Sequence, residues 1–410
     1  MKRVILLLLL FFINDVSAEQ IKIYSLQECI DIALKNNPNL LASGEKVRES
    51  FFKIGQARSG YFPEISLNFS YQRNYQDIYY SKNYTAQIVL NQNLFDFGKT
   101  STQVRLQKEL YHATGWQDKQ IKLQIVYNVK EAYFNVLKAK KQKQTAEEIL
   151  KQAQKHLELA KGFYEVGLKP KIEVTKAEVE VSNAKLNLIS AEKLLKQAFL
   201  NLKIAMGVID IPDFDIKEEE YGIRKIDEKE ALQSALEKNP ELQSIKLNKQ
   251  AAIFSESLVK KEFLPTVSGI GKYSYVGEDF PLQKGWSLLL QLNFPLFSGW
   301  STTYKLKQAK AEVAYYSFKE ESLKQQIILQ IKNLFVQLKE ASQKIDTLKT
   351  ALRQAKENLD LAMARYEVGV GSSIEVVDAI VLYEQTNTQY WQAVYDYSVT
   401  YASIEKVMGM

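Results

Sequence analysis

The chain has 410 residues, a formal net charge of +6 and 25% charged residues, mixed as Lys and Glu along long stretches. That distribution reads as solvated helix faces and excludes a nucleic-acid-binding patch. One cysteine excludes an intrachain disulfide, and the two histidines stand too far apart in sequence to give metal-ligand spacing.

Residues 1–18 read as a secretory signal. Lys2 and Arg3 form the charged start, Val4 to Ile13 the apolar core, and Val16-Ser17-Ala18 the cleavage site. The apolar run of about ten residues is too short for a membrane anchor. Cys29 lies well past the cleavage site and reads as a small core residue. A helix then opens at the capping box Ser25-Leu26-Gln27-Glu28 and restarts at Asn37-Pro38, with Asn as cap and Pro in the first turn.

Two strands follow Phe62-Pro63. In the first, Ile65, Leu67, Phe69 and Tyr71 alternate with Ser66, Asn68, Ser70 and Gln72. In the second, Tyr84, Ala86, Ile88 and Leu90 alternate with Thr85, Gln87 and Asn91. Such alternation makes one apolar and one polar face. Tyrosines gather toward the hairpin turn, and Phe62, Phe95 and Phe97 toward the other end. Two aromatic clusters flanking an apolar band fit a membrane barrel; a soluble sheet with one buried face is the alternative.

A long helical hairpin comes next, broken at Gly167. Ala132, Ala139, Ala146, Ala153 and Ala160 recur every seven residues on the outgoing arm, with Val129, Val136, Leu150 and Leu157 beside them. Ala177, Ala184, Ala191, Ala198 and Ala205 do the same on the returning arm. An unbroken seven-residue step predicts a left-handed coiled-coil seam, and about 65 residues of helix span close to 100 Å.

The whole unit then recurs at an offset of 202 residues. Asn37-Pro38 returns as Asn239-Pro240, Leu94-Phe95 as Leu296-Phe297, Tyr164-Glu165-Val166-Gly167 as Tyr366-Glu367-Val368-Gly369, and Met206-Gly207 as Met408-Gly409. This predicts a duplication: a first repeat over 19–207, a linker over 208–226 and a second repeat over 227–410. The second repeat opens at Asp227-Glu228-Lys229-Glu230, a counterpart of the first capping box. Its first strand, Val267 to Tyr275, is weakened by two glycines, and its second alternates Trp286, Leu288, Leu290 and Leu292 with polar residues. Gly269-Ile270-Gly271-Lys272 lacks the spacing and the trailing hydroxyl of a phosphate loop. No acid–base pair, nucleophile or cofactor loop stands out, so the chain reads as no enzyme, with no cofactor and no metal.

Four membrane strands per chain cannot stand alone, because every backbone group in hydrocarbon must be paired and only a closed barrel achieves that. Two chains would give a filled eight-stranded barrel; three would give twelve strands and a lumen.

The signal peptide, the duplicated helix–two strands–long hairpin unit, Asn-Pro-Asn-Leu and Asn-Pro-Glu-Leu, PLFSGW at 295–300, and YEVGL and YEVGV at the tips resemble the TolC-type outer-membrane efflux proteins. The resemblance covers nearly the whole mature chain. It implies a membrane α+β fold: a homotrimer with a shared twelve-stranded β-barrel in the outer-membrane lipid, four strands per chain, continued by a twelve-helix coiled-coil α-barrel across the periplasm. It implies a passive channel of tripartite efflux or type I secretion, docked to a periplasmic adaptor (membrane fusion protein) and an inner-membrane pump that selects the cargo. It places a periplasmic gate at Glu173, Tyr366, Glu375 and Asp378, and adaptor contacts at Val166, Gly167, Leu168, Val368, Gly369 and Val370. Where some members carry a gate arginine, this chain has Gly371, and its first tip carries Lys169 and Lys171 around Pro170. A soluble periplasmic coiled-coil scaffold or adaptor is the competing reading.

Overall fold

A computed structural model describes residues 22–76, 78–218 and 226–410. The signal-peptide reading at 1–18 and part of the linker reading lie outside the described residues. The elements run β1 (Lys22–Tyr24), α1 (Leu26–Asn36), α2 (Pro38–Arg58), β2 (Glu64–Gln76), β3 (Tyr79–Phe95), α3 (Lys99–Glu165), α4 (Lys171–Ala205) and β4 (Phe214–Ile216). They continue with α5 (Glu228–Lys238), α6 (Pro240–Lys261), β5 (Thr266–Gly277), β6 (Gln283–Asn293), α7 (Ser301–Glu367) and α8 (Ser373–Met408). From α1 and from α5 onward, the same helix–helix–strand–strand–long helix–helix order is therefore traced twice. Among the described residues, no helix is long and apolar enough to cross a membrane.

The first capping box forms: Ser25 Oγ accepts from Glu28 N at 3.3 Å, and Glu28 Oε2 accepts from Ser25 N at 2.8 Å. Its expected counterpart is a simpler cap. Asp227 accepts from Lys229 N at 2.8 Å, two residues on, which is the local turn a short Asp side chain favours.

The four longer strands make one antiparallel sheet in the order β2-β3-β5-β6, so the two repeats meet at the β3–β5 pair. Register carries the alternation across all four strands. Leu67 faces Ile88, Ile88 faces Tyr273, and Tyr273 faces Trp286, so the apolar sets share one face. Gly269 and Gly271 of β5 sit on that face under larger neighbours: a Cβ on Gly269 would lie 3.3 Å from Leu94 Cδ1. The face itself is uncovered, with Leu288 at 78% and Leu290 at 71% exposure. Positive φ at Phe97 (53°) and Trp300 (66°) turns each second strand into its long helix.

The seven-residue rows are the buried rows. Ala132, Ala139, Ala146, Ala153 and Ala160 of α3 and Ala177, Ala184, Ala191 and Ala198 of α4 are all buried. Ile331, Leu338, Ile345, Leu359 and Tyr366 of α7 are buried as well. Alanine lets the paired helices approach closely, which raises the number of dispersion contacts each turn makes. α3 packs on α4, on α6 and on α8, so it joins the two repeats along its length.

The segment read as a linker holds a strand that composition did not reveal. β4 pairs in parallel with β1, Tyr24 opposite Ile216, and buries Phe214 and Ile216 against Tyr133, Leu202 and Met206 of the hairpin above. Three residues are too short a run for a periodicity signal; long-range packing defines this strand.

Two recurring motifs, Asn-Pro and Met-Gly, prove to be halves of one device. Asn37 caps α2 through Oδ1 to Asn39 N at 3.0 Å while its Nδ2 donates to Ala205 O at 3.3 Å, at the end of α4. Asn239 caps α6 through Leu242 N at 3.1 Å while its Nδ2 donates to Val407 O at 3.1 Å, at the end of α8. Gly207 and Gly409 have φ of +72° and +81°, and a Cβ there would lie 2.7 Å from Asn37 Cα and 2.5 Å from Lys238 O. The returning helix therefore terminates against the cap of the short helix pair. Asn37→Ala and Asn239→Ala should each cost about 1–2 kcal/mol, since both a cap and a carbonyl partner are lost. Thermal unfolding of each single variant in detergent checks this; a melting temperature unchanged in both would count against the device.

Candidate functional site

The candidate site is the pair of hairpin tips, where α3 turns into α4 and α7 into α8. Glycine makes each turn. Gly167 (φ +75°) donates to Tyr164 O at 3.0 Å and Leu168 N to Phe163 O at 2.8 Å. Gly369 (φ +84°) donates to Tyr366 O at 3.0 Å and Val370 N to Arg365 O at 3.1 Å. These bonds satisfy the last carbonyls of α3 and α7, as a left-handed glycine after a helix allows. Val166, Leu168, Val368 and Val370 are left exposed, Val368 at 72%, so each tip presents an apolar pair.

Between the tips lies a polar cluster drawn from four elements. Tyr366 of α7 is fully buried, and its ring packs edge-on to His156 of α3 at 4.6 Å and to Phe163 at 5.8 Å between centroids. Glu173 of α4 accepts from Ser373 N at 3.2 Å, across the two hairpins. Ser373 begins α8, so the carboxylate sits at a helix N-terminus, where the macrodipole favours an anion. His156 Nε2 lies 3.2 Å from Ser373 Oγ. Lys169 in the first turn donates to Gly371 O at 2.8 Å and covers the Tyr366 ring at 5.4 Å. Burial raises the Tyr366 hydroxyl above its ordinary pKa, with Glu173 adding to the shift.

Glu375 and Asp378 lie apart from that cluster. Glu375 pairs with Arg365 Nε at 3.3 Å within the second hairpin, and Ser372 Oγ caps α8 through Glu375 N at 3.3 Å. Asp378 lines an open groove of about 450 Å³ between α4 and α8, beside Ile172, Val179 and Ile374. The basic partner at the second tip is therefore Arg365, six residues before the Gly371 position. Gly371 itself admits no side chain: a Cβ would lie 2.8 Å from Tyr366 N and 3.0 Å from Arg365 C. Lysine from the other hairpin reaches this position instead.

The sequence reading missed His156, Ser373 and Arg365. His156 carried a usable signal. It lies three residues after Ala153 and four before Ala160, which puts it on the buried stripe of α3. Higher up the same interface, Asn387 Nδ2 donates to Thr145 Oγ1 at 2.8 Å, both buried, and Tyr383 OH donates to Glu148 Oε2 at 3.1 Å. Burial, aided by Glu148, pushes the Tyr383 hydroxyl up to about 12. Polar bonds from α3 to α8 thus add to the apolar cluster that the two hairpins share.

The family model described as outer membrane efflux protein matches residues 29–208 and again 231–410. The chain belongs to the outer membrane efflux protein family. The outer membrane protein TolC of Escherichia coli strain K12 is 23% identical over 408 residues, covering 94% of this chain and 82% of that protein. TolC of Salmonella enteritidis is likewise 23% identical, over 412 residues. Among solved structures, the Campylobacter jejuni CmeC outer membrane channel superposes with a TM-score of 0.84 at 18% identity, covering 94% of this chain and 85% of that one. The Neisseria gonorrhoeae MtrE outer membrane channel, crystallised in its open state, superposes with a TM-score of 0.79 at 19% identity, covering 94% and 88%. At such identities the superpositions establish the fold of this family member. The sheet and the paired long hairpins are those of an outer membrane channel chain.

Gly371→Ala should loosen the second tip by about 1–3 kcal/mol, because backbone stands where the new methyl must go. Amide hydrogen exchange over residues 365–375 should quicken. Exchange identical to wild type would show that the close approach at Gly371 is not restrictive.

Proposed function

We propose that this chain is the outer-membrane exit duct of a tripartite efflux or type I secretion system. It is a passive conduit, performs no chemistry, and assembles from three copies. One observation carries the reading. The four-stranded sheet has an uncovered apolar face and two free edges, along β2 and β6. In hydrocarbon an unpaired edge leaves a row of unsatisfied N–H and C=O groups, each costing several kcal/mol. Edge-to-edge joining of three sheets removes all of them at once, and twelve strands leave a lumen lined by the polar set of Ser66, Asn68, Thr85, Gln87, Ser274 and Gln291. Below the sheet, α3 and α7 each reach about 100 Å, a span suited to the periplasm.

The exposed apolar flanks of the long helices support the same assembly. Leu186, Ile189 and Leu200 of α4 and Leu329 and Val336 of α7 remain exposed on a single chain. A second copy would cover them, as coiled-coil flanks are covered. In this assembly each tip presents Val166, Gly167 and Leu168, or Val368, Gly369 and Val370, to the hairpin of a periplasmic adaptor. The adaptor in turn connects the duct to an inner-membrane pump. Glu173 and Tyr366 belong to the packed tip. Glu375 and Asp378 are exposed, and threefold repetition would make each a ring of like charge that attracts cations.

Cysteine substitution tests closure directly. Asn68→Cys on the β2 edge, combined singly with cysteines scanned along 287–291 of β6, should give oxidised dimers and trimers in membranes. Exclusively monomeric product across the scan would defeat the shared-barrel reading. Glu375→Ala with Asp378→Ala should weaken block of single-channel conductance by divalent cations. Block of wild-type strength in the double variant would remove these two carboxylates from the passage.

A further inference from the structure

His156 is buried beyond solvent reach at the junction of both hairpins, yet the channel reading gives it no task. Its Nδ1 has no protein hydrogen-bond partner among the described residues, and neither does the hydroxyl of Tyr366 beside it. Buried polar atoms without partners mark a site where packing is retained at a cost in stability. Here the cost falls on the contact that joins α3 of one hairpin to the first residue of α8 of the other.

We propose that His156 is a proton-sensitive pin between the two hairpin tips: its neutral ring holds Ser373 and the start of α8 against α3, and protonation releases them. The pin rests on the reading of the tips as the duct's periplasmic closure. Geometry supplies the reason. The neutral imidazole satisfies the Ser373 hydroxyl through Nε2 at 3.2 Å in either tautomer, because the hydroxyl can donate or accept. An imidazolium would bring a full charge into a closed site and place it at the positive end of α8, which the macrodipole disfavours.

The groups facing the ring set the balance. Glu173 from α4 would attract the charged ring, but its carboxylate is already engaged by Ser373 N at 3.2 Å. Lys169, from the first turn, brings a positive charge over the Tyr366 ring. Tyr366 from α7 offers an aromatic edge contact, and α8 offers only the Ser373 hydroxyl and its helix end. Lys155 and Glu367 neutralise each other nearby at the surface, 3.3 Å apart. Burial outweighs Glu173, and the His156 imidazole is held below the ordinary histidine value. A depressed histidine contributes its stability fully above the ordinary pKa of about 6.5 and loses it as pH falls through that value toward the depressed one. The tips should therefore loosen on the acidic side.

The chain has only two histidines, and His112 is exposed on the upper part of α3, which provides an internal control. The full-length protein in lipid nanodiscs would be followed by amide hydrogen exchange over residues 366–378 between about pH 7.5 and about pH 5.5, corrected for intrinsic rates. Wild type should show up to about tenfold greater opening of the tip at the acid end, because an opened histidine with the ordinary pKa of about 6.5 is roughly ten to one protonated there. His156→Gln, which retains a hydrogen bond to Ser373 but cannot take up the proton, should be flat with pH, whereas His112→Gln should follow wild type. Histidine C2 hydrogen exchange in the unsubstituted protein gives the His156 pKa without any variant, which should lie below the ordinary histidine value of about 6.5. An equal pH response in wild type and His156→Gln, or a His156 titration at or above that ordinary value, overturns the pin. Single-channel recording in parallel separates the two readings. Tip loosening without any conductance would sink the duct and leave the pin standing; conductance with a tip indifferent to pH would do the reverse.

Discussion

Backbone hydrogen bonding in hydrocarbon is the constraint from which the rest of this molecule follows. A sheet of β2, β3, β5 and β6 pairs its own strands and leaves one free edge at either end. Water could satisfy those edges; lipid cannot. A chain with such a sheet, uncovered on its apolar face, is incomplete by itself, and in the proposed assembly copies of the chain present the complementary edge. The duplication makes this economical. Each repeat contributes one hairpin, and the β3–β5 pairing already joins two hairpins without help from another chain.

The helices answer to a different requirement. They must hold a duct open over a long span. Seven-residue rows of alanine and branched residues supply continuous packing along α3–α4 and α7–α8. Between the hairpins a shared apolar cluster, from Ile149 and Val174 to Leu359 and Ile380, is joined by polar bonds. Thr145–Asn387, Glu148–Tyr383, His156–Ser373 and Glu173–Ser373 are polar and directional. An apolar seam tolerates sliding, whereas a buried polar bond specifies one register and loses its energy abruptly when that register changes. The tip cluster holds two buried polar atoms without protein partners among the described residues.

The Asn-Pro and Met-Gly motifs show how duplication preserves a device without preserving its surroundings. In both repeats an Asn side chain caps a short helix and also receives the end of the long returning helix. The preceding caps diverged, one a reciprocal box and the other a single bond from Asp227. The first contact ties parts of the chain 168 residues apart, and the second is local. A long-range tie has no substitute, whereas a local cap has several.

The sequence by itself determined the repeated order, the strand faces and the helical seams, because these depend on periods of two and seven that every residue in a segment helps to express. Ile65 through Tyr71 and Ala132 through Ala160 announce their faces without any partner being known. The glycine turns were legible for the same local reason. Tertiary structure alone decided the pairing of β1 with β4, since three residues express no period and the partner strand, with Tyr24 against the Phe214 ring, lies about 190 residues earlier. It alone separated the four acidic and aromatic gate candidates, drawing Glu173 and Tyr366 into a closed cluster and leaving Glu375 and Asp378 outside. It alone joined His156 to Ser373, 217 residues later. Periodicity tells which way a side chain faces; only the meeting of two distant helices decides what it meets there.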